Sequence, residues 1–214
     1  MPQQGILVVK LGGSLAGTPV LADWLKVLAQ AGGRCVIVPG GGPFADQVRK
    51  LQRELGFDDA TAHHLALLAM EQFGRVLAAL QPGLAPASSR DEIDKALGSG
   101  QVPVWMPTAM ALGRPEIPES WLVTSDSLAA WLAGALNADR LVLVKSAAPP
   151  PGPVTAAELL HRGLVDPAFP GFFSKSGAAA WYLGPDQAAS LAAGLDGREP
   201  GGTKIARDIL RLCP

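Results

Sequence analysis

The sequence predicts an α/β protein, a three-layer αβα sandwich built around a mostly parallel sheet. Three observations carry this. Short continuous apolar runs at residues 6–9, 35–38 and 141–144 are bounded by turn residues, as strands buried on both faces are. Amphipathic stretches of helical period lie between them, so successive strands are joined by helical crossovers and run the same way. The first two runs each end in a glycine turn, where such a fold passes from strand to helix.

Ile6, Leu7, Val8 and Val9 open the first strand, which ends at Lys10 and Leu11 and turns at Gly12 and Gly13. A helix is expected over 19–31, because the fixed φ of Pro19 suits a first turn. Cys35, Val36, Ile37 and Val38 form the second strand, closed by Pro39 and the run Gly40, Gly41, Gly42. Two helices follow, over 44–55 and 60–80. In the second, Leu65, Leu68, Phe73, Val76 and Leu80 mark the expected apolar stripe, with His64 beside it and His63 off it.

Residues 81–89, rich in Pro, Ala and Ser, read as a connection. A strand at 102–105 carries Pro103, which places it near an edge or an end of the sheet. Residues 108–120 read as a loop. A helix over 125–136 presents Leu128, Trp131, Leu132 and Ala135 on one face, and 141–144 is a central strand. Pro149, Pro150, Pro151 and Pro153 interrupt the chain. A short helix at 155–161, a strand at 180–183, a helix after Pro185 and a strand at 203–206 complete it.

The 214 residues suit one domain, 1–214, of this architecture. Eighteen Lys plus Arg against 19 Asp plus Glu, with no long run of either sign, argue against a nucleic-acid footprint. Cys35 and Cys213 have no metal-ligand spacing and no partner pattern of a disulfide scaffold. No apolar run approaches the roughly 18 residues of a membrane span. A cytoplasmic protein with no membrane partner is the expectation.

Lys10 at the mouth of the Gly12–Gly13–Ser14 turn can place a positive charge where phosphoryl charge spreads, while glycine amides approach the anion closely. Gly40, Gly41 and Gly42 repeat the arrangement after the second strand; if the strands are neighbours, both turns share one carboxyl edge. Asp126, between Ser125 and Ser127 at a helix start, can orient Lys10 or simply cap the helix, and local sequence leaves both open. His63 and His64 read as core or surface histidines, and no metal-ligand set accompanies them. Neither the Gly-x-x-x-x-Gly-Lys-Ser/Thr loop nor a Gly-x-Gly-x-x-Gly turn after the first strand is present, which counts against P-loop and dinucleotide folds.

Taken together, Lys10 with Gly12, Gly13 and Ser14, then Gly40 to Gly42, then Thr124-Ser125-Asp126-Ser127, the 141–144 strand and the Gly202-Thr203-Lys204-Ile205 close resemble the amino-acid kinase superfamily. The resemblance implies the carbamate-kinase-like fold and ATP- and Mg²⁺-dependent phosphoryl transfer to a phosphorylated or carboxylated small molecule. It implies acceptor binding in the N-terminal half and nucleotide binding in the C-terminal half; separately, the apolar helix over 60–80 could pair with its copy in a homodimer or higher homo-oligomer, or equally be core. By matching position, Lys10 and Asp126 are catalytic and the turns Gly12–Gly13 and Gly41–Gly42 bind phosphates and acceptor; Ser14 and Lys145 join them as candidate phosphate contacts, and Gly40, His63, His64 and Ser125 as candidate acceptor contacts. Residues 61–64, 69–74 and 118–121 are most similar to the aminomethylfuran-methyl phosphate kinase branch. Where the superfamily has Thr-Asp after the central strand, this chain has Lys145-Ser146, which keeps open a non-catalytic nucleotide- or oxyanion-binding protein on the same fold. Lys145 itself reads either as a phosphate-facing charge or as a solvated strand end. Lys204 resembles a second catalytic lysine of some branches, but its place at the closing strand leaves it unassigned.

Overall fold

The computed structural model describes residues 5–195 and 198–208. The axis of the sheet is β1 (Leu7–Leu11), buried along its whole length. It pairs in parallel with β2 (Cys35–Pro39) on one side and β5 (Arg140–Val144) on the other, with Lys10 opposite Val38 and Leu143. Outward from β2 lie β4 (Val102–Trp105) and β3 (Leu84–Ala87); outward from β5 lie β7 (Ala179–Leu183), β8 (Thr203–Ala206) and β6 (Val154–Thr155). Only the β7–β8 pair is antiparallel among these ladders.

Strand alternation sorts the core into two layers. Leu7, Val9 and Leu11 pack with Trp24, Leu25 and Leu28 of α1 (Val20–Ala29) and with Leu191 of α9 (Ala188–Leu195). Val8 faces the opposite layer, with Leu128, Leu132 and Ala133 of α6 (Ser125–Ala135) and Phe169 and Phe173 of α8 (Phe169–Ser176). Because side chains alternate along a strand, Lys10 shares the face of Val8 and is directed to the α6 side. α6 lies between sheet and α8, so it is buried around most of its circumference, and Ala135, expected inside, is exposed.

Several expectations are corrected. The stretch 81–89 is not a bare connection: it contains β3, the edge strand, so Pro103 lies one strand in, with Pro86 on the edge itself. α4 (Arg90–Gly98) was not anticipated although its signal is local: Ser89 Oγ accepts from Glu92 N while Glu92 Oε2 accepts from Ser88 N, close to a capping box. The 108–120 loop begins with a one-turn helix, α5 (Thr108–Ala111). After the prolines the chain forms β6, which was not expected, and then α7 (Ala156–His161), the short helix expected over 155–161; α8 was not expected.

Two long helices follow β2: α2 (Gly42–Leu55) and α3 (Asp59–Leu80). The buried face of α3 is Ala62, His63, Leu67, Met70, Phe73 and Leu77, whereas Leu68, Val76 and Leu80 of the expected stripe are exposed. An alanine-rich helix with apolar residues on several faces does not fix its own rotation; packing against β2, β3 and β4 does. The same rotation buries His63 and exposes His64, the reverse of the sequence reading. No described helix is long and apolar enough to cross a membrane.

Candidate functional site

The carboxyl ends of β1 and β2 bring the two glycine turns into direct contact. A Cβ on Gly13 would lie 2.2 Å from Gly42 N, and one on Gly40 would lie 2.3 Å from Gly13 N, so the turns are pressed backbone to backbone. Gly42 also has φ +53, a region that costs other residues strain. The amides of Gly12 and Gly40 are engaged by the Val144 and Leu11 carbonyls, which turns neither toward an incoming anion. The donors left to an anion are therefore those around Gly13, Ser14 and the start of α2.

No helix N-terminus backs the first glycine turn directly. Gly13–Leu15 form a 3₁₀ turn and α1 begins only at Val20. The N-terminus at the crevice belongs to α2, which starts at Gly42 with Pro43 in its first turn and presents a favourable dipole.

These turns border a cavity of about 250 Å³ lined also by Lys10, Lys145, Asp126 and Ser125, with His63, Arg49 and Trp121 on its wall. This is below the roughly 300–1,000 Å³ of sites for drug-sized ligands, so a small metabolite is the scale it fits. At the floor, Lys10 Nζ lies 2.9 Å from Asp126 Oδ1 and Lys145 Nζ lies 2.7 Å from Asp126 Oδ2. The Lys145 contact is a hydrogen bond; the Lys10 contact is an ion pair that leaves Oδ1 outside hydrogen-bond alignment. Lys10 and Asp126 are 4% and 3% exposed, so both charges are removed from water.

The titration of the cluster follows from two cations sharing one anion. Burial draws the Lys10 ammonium down to about 8; Asp126 opposes the fall and Lys145 adds to it. Burial pushes the Asp126 carboxyl up, but Lys10 and Lys145 together outweigh it and hold it below the usual carboxylate range. The two directions agree: the carboxylate has two favourable partners, whereas each lysine also faces a like charge.

Asp126 is free for this role because another residue caps its helix. Thr124, at the α6 N-cap, makes no side-chain cap bond. Instead Asp166 Oδ2 accepts from Thr124 N at 3.0 Å, Thr124 Oγ1 at 2.8 Å and Ser127 N at 3.0 Å, and Asp166 Oδ1 accepts from Phe169 N at 3.0 Å and from Ser127 Oγ. Asp166 thus ties the start of α6 to that of α8. It lies 40 residues from Asp126, and no local pattern marks it.

Ser14 reaches the loop after β5, its hydroxyl donating to Ser146 Oγ at 2.9 Å. On the wall, the Arg49 guanidinium lies 4.4 Å from the centroid of the Trp121 ring and bonds Asp46 Oδ1 at 3.1 Å. The Trp121 indole donates to Gln52 Oε1 at 2.6 Å, fixing the loop before α6 against α2. Arg49, Asp46 and Trp121 were missed in the sequence, although Asp46, Arg49 and Gln52 recur on one face of α2. His64 is exposed and takes no part in the lining, so of the paired histidines His63 alone faces the cavity. Lys204 lies away from it, paired with Glu199 at 2.8 Å. Among the described residues no group of His, Cys, Asp and Glu forms a metal-ligand cluster.

A mostly parallel sheet with two glycine turns meeting at the carboxyl ends of its central strands, beside a lysine–aspartate–lysine cluster, defines an α/β protein with a cationic pocket at that edge. The chain belongs to the amino acid kinase family, whose model matches residues 5–148. It is 28% identical over 139 residues to the [5-(aminomethyl)furan-3-yl]methyl phosphate kinase of Methanocaldococcus jannaschii, covering 64% of this chain and 63% of that protein. It is 30% identical over 190 residues to an acetylglutamate kinase of Anaeromyxobacter sp. (strain K), covering 65% and 69%. The chain therefore spans less than two thirds of the furan-phosphate kinase it matches. In fold it is similar to the uridylate kinase of Archaeoglobus fulgidus, with TM-score 0.72, 18% identity and coverage of 94% and 100%. The UMP kinase of Ureaplasma parvum gives TM-score 0.67 at 16% identity, covering 94% and 99%.

Proposed function

We propose that this protein transfers the γ-phosphoryl group of ATP to a small phosphate or carboxylate acceptor, an aminomethylfuran-methyl phosphate being the first to test. The carrying observation is the buried floor, where Lys10 and Lys145 share Asp126 and leave an excess positive charge between the glycine turns. Phosphoryl transfer needs positioning and charge stabilisation more than a covalent partner, and this floor supplies both. Lys10 would face the migrating phosphoryl, Lys145 the donor phosphates, and Asp126 would hold both amines in register. Amides around Gly13 and Ser14, and those heading α2, would receive phosphate oxygens.

The nucleotide would lie over the ends of β5 and β7, beside Lys145 and Ser146, and the acceptor in the cavity walled by α2 and α3. Two ammonium groups around one carboxylate suit phosphate oxygens rather than a bare dication. Mg²⁺ fits here as the ATP chelate, with its ligands drawn from phosphate and water. The exposed Leu68, Val76 and Leu80 on α3 support a homodimer through that face. The buried free thiol of Cys35 is in keeping with a cytoplasmic setting.

The test is product formation: the protein is incubated with ATP–Mg²⁺ and a panel of phosphorylated and carboxylated acceptors, and the phosphorylated product is followed by phosphorus NMR. Turnover by the wild type and none by a folded Lys10→Met variant is expected. Tight ATP binding with no product across the panel would favour a non-catalytic binding protein, the reading the Lys145-Ser146 departure keeps in view.

A further inference from the structure

The floor of the cavity holds an amine under the two conditions that make a lysine a nucleophile: removal from water and a neighbouring cation. Lys10 is 4% exposed and lines the cavity, with its Nζ so near the first glycine turn that a Cβ at Gly12 would stand 3.8 Å from it. The charged groups that bear on it are Asp126 of α6, Lys145 after β5 and Asp166 before α8, while Asp46 and Arg49 of α2 and His63 of α3 line the same cavity. Burial outweighs the two carboxylates and, with Lys145, leaves the amine at about 8. About one molecule in ten therefore presents a neutral amine at pH 7, against fewer than about one in a thousand for an ordinary lysine.

Asp126 completes the arrangement. Its Oδ1 stands 2.9 Å from Lys10 Nζ yet accepts no hydrogen bond, although the residue is 3% exposed. A planar nitrogen with a single N–H in the amine's place offers that oxygen a directional donor. The charge of the lining selects the rest of the partner. Lys10, Lys145 and Arg49 against Asp46 and Asp126 leave an excess positive charge, which draws in an anion.

We propose that Lys10 is a covalent modification site for small anionic aldehydes, which form an imine with its amine. The neutral nitrogen attacks the carbonyl carbon, and the C=O π pair moves to oxygen. One proton passes from nitrogen to that oxygen, a second comes from solvent, and water leaves as the C=N bond forms. The nitrogen keeps one N–H and a positive charge beside Asp126 Oδ1, so the carboxylate stabilises the product as it does the ammonium. The step needs no oxidant, reductant or nucleotide. On the kinase reading it also occupies the amine that faces the migrating phosphoryl, so such an aldehyde is a reversible inhibitor of phosphoryl transfer.

Incubation of the intact protein with glycolaldehyde phosphate, reduction with borohydride to fix any imine as a secondary amine, and peptide mapping by mass spectrometry test this. An adduct on Lys10 is expected, formed at least about tenfold faster at pH 7 than on exposed lysines such as Lys26 and Lys50. Its rate should rise about tenfold per pH unit below about 8 and level off above it. Uncharged glycolaldehyde should label Lys10 about tenfold more slowly, the worth of one charge-assisted contact. Lys10→Arg, which keeps the charge and removes the nucleophile, should lose the adduct; if that variant fails to fold, the map of the wild type decides. No adduct on Lys10, labelling of Lys26 or Lys50 as fast as Lys10, or equal rates with the two aldehydes would overturn the proposal. Labelling is read by mass without ATP or turnover. An adduct without any product from ATP would therefore remove the kinase reading and leave the modification standing, and turnover without an adduct would do the reverse.

Discussion

Replacing Asp126 by Asn probes the floor of the site most directly, because it removes the carboxylate that two ammonium groups share at 2.9 and 2.7 Å. Lys10 already titrates at about 8 instead of 10.5, and that gap corresponds to roughly 3 kcal/mol in favour of the neutral amine. Even so, at pH 7 about nine in ten molecules carry the charge. Asp126 is the largest influence opposing burial at Lys10, so without it the amine titrates well below about 8 and loses its charge near neutrality. Breaking a buried ion pair costs about 3–5 kcal/mol, a large part of the roughly 5–15 kcal/mol that holds a typical domain together. Deprotonation of Lys10 relieves part of this, which places the expected loss at the lower end. Urea unfolding at pH 7 measures it.

The kinetic consequence has a definite sign. If charged Lys10 is required, wild-type kcat/KM is highest below about 8 and falls tenfold per pH unit above it; in Asp126→Asn the fall begins at lower pH. A stability loss under about 1 kcal/mol together with an unmoved alkaline limb would refute the shared-carboxylate reasoning.

Lys145→Met should act oppositely on the same limb, because removing a like charge raises the Lys10 pKa; kcat/KM should persist to higher pH even as its maximum drops. Asp166→Asn should cost about 1–3 kcal/mol in urea unfolding, since an amide cannot accept all the bonds from Thr124, Ser127 and Phe169, and should lower kcat by loosening the start of α6. Gly13→Ala should prevent folding or abolish anion binding, its Cβ lying 2.2 Å from Gly42 N. Gly42→Ala, whose Cβ meets Phe73 and the Gly13 carbonyl at ordinary contact distance, should cost about 1–2 kcal/mol of backbone strain in a thermal melt. Leu68→Glu with Val76→Glu should shift the protein toward monomer in light scattering if the outer face of α3 is a subunit interface; an unchanged mass would remove that face.

The sequence by itself determined the parallel α/β class, because strands buried on both faces must be written as unbroken apolar runs and their crossovers as helices. It also marked Lys10, the two glycine turns and Asp126, since each signal is confined to a few neighbouring residues. Tertiary structure decided what no short window holds. The rotation of α3, and hence which histidine enters the cavity, depends on packing against β2 to β4. The capping of α6 by Asp166, which frees Asp126 for the lysines, joins residues 40 positions apart. Edge placement of β3, with β4 one strand in, was settled by pairing, and the need for glycine at 13 and 40 came from two turns colliding rather than from either turn alone. Local order is legible where neighbouring residues set the energy; the site's charges take their meaning from distances that only the folded chain creates.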